Sequence, residues 1–366
     1  MIILNMKIGI YGGAFNPIHK GHIKIAKHVI DFLGLEKLIF VPSYKGPFKK
    51  NIELASGQDR MNMIELVLEN KMEVSAFEIN RKGVSYTIDT IKYFKNKYKD
   101  DELFLIIGSD NLSKLNKWSK IDEITQMAKI VVLKRSDSFS KINLKKYDCM
   151  LIDNVITEES SSGFLAGSYK DVESKVKHYI GAHKLYFDDI VKNTLSVERY
   201  KHSLYAAKFG VELSKYLKLD SKKAYYACLL HDITKEWDVD KQRAFLTHFL
   251  VDESKLENHE LHQATGSIWL RKFFVIRDNE MTDAIAKHTT LSLELTQMDK
   301  VVFMADKLCS GRKWEGIQEV RKMCFEDFDS AFALTVKKTK EFIEAKGAPL
   351  SSAQEEIYNK WSKLEV

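Results

Sequence analysis

The chain has 366 residues, more than one typical domain holds, so two domains are expected. With 45% hydrophobic and 30% charged residues it carries enough apolar material for packed cores, which excludes a disordered or fibrous chain. The formal net charge of +6 suits anionic ligands, but the lysines are spread singly rather than blocked into an arm, and no RNA-binding motif supports a nucleic-acid role. Cys149, Cys228, Cys309 and Cys324 are isolated and form no CxxC, so neither a zinc knuckle nor a disulfide framework is indicated, and a reducing cytoplasm suits them. No apolar run approaches a membrane span, and the start MIILNMKIGIYGG has too short an apolar stretch for a signal peptide. A cytoplasmic protein without a membrane partner is expected.

Taken in order, KIGIYGG (7–13) reads as a buried first strand, followed by a helix from about Gly21 to Leu33 and the strand KLIFVPS (37–43). A helix around Asp59 to Glu69 precedes the strand-like MEVSAFEI (72–79); then come a helix from Thr87 to Tyr98, ELFLIIGSD (102–110) and KIVVLKR (129–135). Strands separated by helices imply a Rossmann-like α/β domain with a parallel sheet covered on both faces. Ligands of such sheets sit beyond the carboxyl ends of the strands, where Gly12 and Gly13 fall. After about Phe187 the texture becomes almost unbroken helical periodicity, as in YKHSLYAAKFGVELSKYL, so the expected division is 1–187 α/β and 188–366 all-α. There is no internal repeat and no low-complexity segment.

The loop after the first strand reads YGGAFNPIHKGH. Gly12 and Gly13 let backbone N–H groups approach a phosphate, Pro17 stiffens the turn, and Gly21 and His22 open a helix whose N-terminus favours anions. His19 and His22 would then donate hydrogen bonds to phosphate oxygens. Three other readings stand beside this one. A dinucleotide fold wants GxGxxG, and the spacing is wrong; a metal pair lacks a third ligand nearby; a bare glycine turn with solvated histidines is the structural alternative.

HKGH is the HxGH signature of the nucleotidyltransferase superfamily, and GGAFNPIHKGH resembles the opening of bacterial nicotinate-nucleotide adenylyltransferases. ASGQDRMNMIEL, with Arg60, EINRKGVSYTIDT (78–90) and LIIGSDNLSKLNKW (105–118) are similar to further segments of that family, so the resemblance covers about the first 185 residues. It implies adenylyl transfer from ATP, with Mg²⁺, to nicotinate mononucleotide, giving deamido-NAD and pyrophosphate. On the same resemblance His19, His22 and Lys49 meet the phosphates. Gly12, Gly13, Phe15, Arg60, Ser85, Tyr86, Thr87, Gly108, Asp110, Ser161 and Ser162 line the nucleotides, and Trp118 stacks on nicotinate. Ser85, Tyr86 and Thr87 also suit a helix start, and Arg81 reads equally as ligand or surface charge. Two departures keep open the alternative that this half is a nucleotide-binding or scaffold module. In PSYKGPFK (42–49) Phe48 stands for a histidine and Gly46 for a proline; in SSSGFLAG (160–167) the arginine position falls on Leu165, with Lys134, Arg135 or Lys170 as substitutes.

The helical half holds a second constellation: ERYKHSL with His202, LLHDITKEW with His231 and Asp232, ENHELHQATG with His262, HTT with His288, and VVFMADKLCSGR with Asp306. Imidazole is a neutral ligand and a carboxylate can bridge two cations, so helices of a bundle bringing these together would build a metal centre. The order H…HD…H…H…D is similar to that of HD-domain phosphohydrolases, and more narrowly to bacterial YqeK-type proteins, which hydrolyse diadenosine tetraphosphate symmetrically to two ADP. The resemblance implies one or two metals, iron first and Mn²⁺ or Mg²⁺ otherwise. His202, His231, Asp232 and Asp306 would hold one and His262, His288 and Asp232 the second, with Lys235 on the polyphosphate. Arg312 reads equally as a phosphate contact or a helix-cap charge, His259 is a weaker ligand candidate than His262, and Cys309 stands where a glutamate is common. The whole chain reads as a fusion of the two enzymes; homo-oligomers stay open.

Overall fold

The computed structural model describes residues 5–45, 54–136, 138–154, 156, 158–347 and 350–363. Its contacts divide into two compact units, one ending at Val176 and one starting at Lys177.

The first unit is built on a six-stranded sheet: β1 (Lys7–Gly13), β2 (Lys37–Pro42), β3 (Met72–Val74), β4 (Glu102–Gly108), β5 (Lys129–Leu133) and β6 (Met150–Ile152). The order is β3-β2-β1-β4-β5-β6 and every pairing is parallel. Ile10 of β1 pairs with Ile39 on one side and Leu105 on the other, and all three are buried. That is why the central strands read as unbroken apolar runs: both faces are covered, and each fully buried Ile, Leu or Val contributes about 1.5–3 kcal/mol. The order reverses between β1 and β4, so the carboxyl ends of these two strands, at Gly13 and Gly108, open on a crevice.

The covering helices are α1 (Lys20–Leu33), α2 (Gly57–Glu65), α3 (Phe77–Arg81), α4 (Thr87–Lys97), α5 (Ile121–Met127) and α6 (Ser161–Leu165), and α7 (Ser174–His183) follows them in the chain. The segment MEVSAFEI is a strand only over Met72–Val74. At the sheet edge the chain turns into α3, where Phe77 stacks on Tyr93 at 4.2 Å and the buried Glu78 accepts a hydrogen bond from Thr90. Likewise β4 stops at Gly108 and the polar run Ser109–Lys117 winds into 3₁₀ turns. The three-residue strand β6 is too short to register as a periodic pattern. Helix α7 spans the division between the units. Its second half packs on Phe274, whose carbonyl a Cβ on Gly181 would strike, so the second unit begins earlier than the change of texture near Phe187.

The second unit is helical throughout its described residues: α8 (Phe187–Thr194), α9 (Val197–Tyr216), α10 (Ser221–Leu230), α11 (Val239–His248), α12 (Leu261–Phe273), α13 (Asn279–Lys287), α14 (Gln297–Leu308), α15 (Ile317–Met323), α16 (Phe328–Ala345) and α17 (Ser352–Trp361). Side chains of Ser196, Asp220, Asp278, Thr296, Asp327 and Ser351 cap six of these by accepting from first-turn N–H groups, which marks the starts sharply. Helix α9 packs on α10 and α14, and α13 on α12 and α14, around Leu213, Leu229, Ile285 and Phe303. No helix among the described residues is long and apolar enough to cross a membrane.

Candidate functional sites

Beyond the ends of β1 and β4 lies a cleft of about 490 Å³. The structure brings Gly12, Gly13, Ser85, Tyr86, Thr87, Gly108 and Trp118 together on its wall. A side chain would crowd its neighbours at two of these places. A Cβ on Gly13 would stand 2.9 Å from the Phe15 ring, and one on Gly108 would strike the Asp110 carboxylate and the Arg135 guanidinium. Bare backbone therefore faces the cleft.

His22 is buried in the first turn of α1, and its Nδ1 accepts from the His19 backbone N–H at 3.2 Å. A neutral imidazole accepting at Nδ1 carries its proton on Nε2, ready to donate. The His19 ring lies against it, 3.6 Å between centroids. Burial, then the Arg135 charge, lowers His19 to about 4. Burial, with His19 and Arg135 beside it, holds His22 well below the ordinary histidine value. Both rings are neutral at pH 7 and each has a single N–H to offer. No third His, Cys, Asp or Glu joins them in a ligand group among the described residues.

A depressed histidine value has a consequence for stability. Between about pH 6.5 and 4 the unfolded chain protonates His19 while the folded chain does not, so stability falls as pH drops through this window. Wild type is expected to lose more melting temperature than His19→Asn over that range; equal losses would remove His19 as the cause.

Five expected ligand residues stand behind or beside the cleft. Phe15 packs on Tyr11, Phe40 and His22, forming the wall that holds the His22 ring. The buried Arg60 guanidinium donates to the carbonyls of Ala14, at 2.7 Å, and Ala55, at 3.0 Å, bracing the loop. Ser161 donates to the Pro17 carbonyl at 2.8 Å, while Ser162 is exposed and only 3.4 Å from Ser160 Oγ. Asp110 sits at the rim, 3.4 Å from Arg135 Nε. Arg81 pairs with Asp89 at 2.7 Å and donates to the Val84 carbonyl, so it braces its own segment. Gly46, Phe48 and Lys49 lie outside the described residues. Of the three substitutes for the missing arginine, Arg135 lines the cleft; Lys134 pairs with Asp153 and Lys170 lines a different cavity. Glu78 is a wall residue that sequence reasoning did not single out. It is buried, accepts from Thr90, and burial raises its carboxyl.

In the second unit all six expected ligands converge. His202 comes from α9, His231 closes α10 with Asp232 in the turn beyond, His262 opens α12, His288 closes α13, and Asp306 comes from α14. Their ligand atoms form three overlapping groups, each within 4.8 Å: His202, His231 and Asp232; His231, His288 and Asp306; Asp232, His262 and His288. The two oxygens of Asp232 divide the histidines. Oδ2 lies 3.3 Å from His231 Nε2 and 3.9 Å from His202 Nε2; Oδ1 lies 3.3 Å from His262 Nε2 and 3.6 Å from His288 Nε2. Asp306 Oδ1 completes the first side, 3.0 Å from His202 Nε2. His259 is exposed, away from this cluster.

The protonation pattern fits metal ligation. His231 Nδ1 contacts the Cys228 carbonyl at 2.6 Å and His288 Nδ1 the Ile285 carbonyl at 2.7 Å; a carbonyl only accepts, so the proton sits on Nδ1 and Nε2 keeps its lone pair. Burial keeps His202, His262 and His288 in the neutral form a ligand needs. Burial alone would raise both carboxyls, but His231 and His288 hold Asp232 well below the usual carboxylate range, and Lys307 and His202 do the same for Asp306. Burial alone would lower His231, but Asp232 and Asp306 beside it raise it; two buried anions among four imidazoles form a site for a divalent cation.

A ring of cations surrounds it. Arg199 reaches Asp232 Oδ2 at 2.7 Å, Lys307 and Arg312 reach the two oxygens of Asp306 at 2.7 and 2.6 Å, and Lys235 Nζ is 3.2 Å from His262 Nδ1. Arg312 is thus an ion-pair partner of a candidate ligand and, donating from Nε to the Asp306 carbonyl at 2.8 Å, also caps the last turn of α14. Arg199, three residues before His202, was not singled out from the sequence, although that spacing puts it on the same face of α9.

Residues 10–166 match the cytidylyltransferase-like family and residues 199–311 the HD domain. The chain is similar to two proteins called probable nicotinate-nucleotide adenylyltransferase/Ap4A hydrolase. The one from Mycoplasma genitalium is 32% identical over 93% of this chain and 100% of its own length; the one from Mycoplasma pneumoniae is 30% identical over 90% and 97%. Among solved structures, a "predicted HD superfamily hydrolase involved in NAD metabolism" from Clostridium acetobutylicum is 31% identical, covering 48% of this chain and 94% of that one, with a TM-score of 0.45. A cytidylyltransferase-like half carrying the HxGH loop and an HD half, aligned end to end with proteins that join both, leave one assignment: the chain belongs to the nicotinate-nucleotide adenylyltransferase/Ap4A hydrolase family.

Proposed function

We propose that this chain is a bifunctional enzyme: its first unit transfers the adenylyl group of ATP to nicotinate mononucleotide, and its second unit hydrolyses diadenosine tetraphosphate to two ADP. The pairing rests on the similarity to relatives that join both names, and the observation that most directly supports the hydrolase half is Asp232, with one carboxylate oxygen facing each of two histidine sets.

In the first reaction, nicotinate mononucleotide occupies the cleft with its ring on Trp118. An oxygen of its 5′-phosphate attacks the α-phosphorus of ATP, the bond to the α–β bridging oxygen breaks, and pyrophosphate leaves. No covalent enzyme intermediate is required; positioning and charge stabilisation do the work. His22 donates from Nε2 and His19 from its single N–H to phosphate oxygens as charge builds. Arg135 supplies the fixed cation that Leu165 cannot. Mg²⁺ bound to the ATP substrate would supply further positive charge to the departing pyrophosphate. Arg135→Ala is expected to lower kcat/KM for ATP by roughly ten- to a hundredfold, as loss of a charge-assisted contact does. An unchanged value in steady-state kinetics would assign the compensating role elsewhere.

In the second reaction, metal held by the cluster supplies Lewis acidity and, from water, a strong nucleophile at neutral pH. Iron suits the mixed histidine and carboxylate ligands, with Mn²⁺ or Mg²⁺ as alternatives. Asp232 and Asp306 fix the cation positions, while Arg199, Lys235, Lys307 and Arg312 meet the phosphate oxygens. Water adds to one central phosphorus, the bond to the central bridging oxygen breaks, and two ADP form. The cytoplasm is the proposed compartment, where the four free cysteines stay reduced.

Purified protein given ATP, Mg²⁺ and nicotinate mononucleotide should release pyrophosphate and form deamido-NAD. Silence with nicotinate and nicotinamide mononucleotides alike would leave the first unit a nucleotide-binding or scaffold module. Metal-loaded protein given diadenosine tetraphosphate should yield ADP alone; ATP plus AMP would end the symmetrical reading.

A further inference from the structure

Beside the metal cluster the second unit has a cavity of about 540 Å³, between the turn after α14 and helix α16. Its size falls within the roughly 300–1,000 Å³ usual for small-molecule sites. Two wall residues, Lys307 and Arg312, also reach into the cluster, at 2.7 and 2.6 Å from the Asp306 carboxylate, and Arg312 Nη2 is 3.5 Å from His202 Nε2. Cavity and cluster therefore share cations, and a phosphate held by them would lie next to the metal ligands.

The rest of the wall has its own chemistry. Lys313 and Lys338 add two cations, against which stand the carboxylates Glu315 and Glu341, the latter paired with Lys338 at 3.1 Å; the balance is positive. Trp314 is half-buried, and Phe342 is 58% exposed, with Lys346 Nζ 4.4 Å from the centroid of its ring. Aromatic faces of this kind serve as stacking platforms for bases. The hydroxyls of Thr335 and Thr339 each donate to a helix carbonyl at 2.8 Å, so their oxygens are left to accept, as an exocyclic amino group requires.

A dinucleoside polyphosphate carries a nucleoside at each end, so a centre that cuts the middle of its phosphate chain needs a seat for a base away from the metals. We propose that this cavity seats one terminal adenosine of the dinucleoside tetraphosphate, the base against Trp314 and Phe342 and the adjoining phosphates on Lys307, Arg312 and Lys338. The inference rests on the hydrolase reading above.

The test compares metal-loaded wild-type chain with Trp314→Ala and Lys338→Glu, recording KM and kcat for diadenosine tetraphosphate together with metal content and melting temperature. Each variant is expected to raise KM about tenfold, with kcat changed by less than about twofold and with metal and melting temperature retained. An active wild type with unchanged KM in both variants overturns the cavity's role and leaves the hydrolase reading standing. If Trp314→Ala loses metal or fails to fold, Lys338→Glu decides alone, since Lys338 is at the surface and a structural role there would not move KM. A metal-loaded wild type that does not hydrolyse diadenosine tetraphosphate overturns the hydrolase reading, and the cavity assignment with it.

Discussion

Asp232→Asn is expected to lower hydrolysis of diadenosine tetraphosphate by on the order of a thousandfold, with adenylyl transfer kept at the wild-type rate. Asparagine keeps the shape of aspartate but has one oxygen and one NH₂ group in place of two equivalent oxygens. In the native site Oδ2 faces His231 and His202, and Oδ1 faces His262 and His288. Whichever way the amide turns, one histidine set then meets N–H donors where a shared ligand oxygen belongs. The substitution also removes the charge that Arg199 pairs with at 2.7 Å, leaving that cation without its partner. Metal analysis should show the loss together with the activity, and a mutant that still makes ADP at the wild-type rate would detach Asp232 from the chemistry.

His22→Ala is expected to cost adenylyl transfer roughly a hundred- to a thousandfold, the usual loss when one donor to developing charge is removed, and to leave hydrolysis untouched. His22 has two duties that a second variant separates. In the proposed reaction Nε2–H would donate to the phosphates, whereas Nδ1 accepts from the His19 N–H and so caps the start of α1. Asn at the same position can accept that N–H through its amide oxygen without reproducing the reach of the imidazole. His22→Asn should therefore recover melting temperature but not pyrophosphate release. Recovery of both would reduce His22 to a cap.

The sequence made the two sites legible to different depths. The candidate ligands of the metal cluster could be named because each offers a lone pair or a carboxylate and their order resembles that of HD-domain phosphohydrolases. The loop Gly12–His22 was less open by itself, since glycine pairs and histidines at a strand end also make a plain solvated turn, and the resemblance carried by GGAFNPIHKGH pointed to phosphates. Arg60 was harder. A buried guanidinium serves a phosphate or a backbone carbonyl equally well, and only the positions of Ala14 and Ala55 show which carbonyls it meets. Glu78 stayed hidden because MEVSAFEI alternates like a strand; the stacking of Phe77 on Tyr93, a contact distant in sequence, turns it into helix and buries the carboxylate beside the cleft. Arg135 was one of three substitutes for a missing cation, and what separates it from Lys134 next to it is which side of the end of β5 each takes.

The contacts from His231 to the Cys228 carbonyl and from His288 to the Ile285 carbonyl reach back three residues, to carbonyls that the ends of α10 and α13 leave outside the helical ladder. Each imidazole therefore ends its own helix while being aimed by it. Fraying of either last turn would let the ring swing and trade its tautomer, so the centre's grip on its cation reports on the integrity of two helix ends. Substitutions that loosen those turns, without touching any ligand, weaken the catalyst by disordering the backbone that aims it.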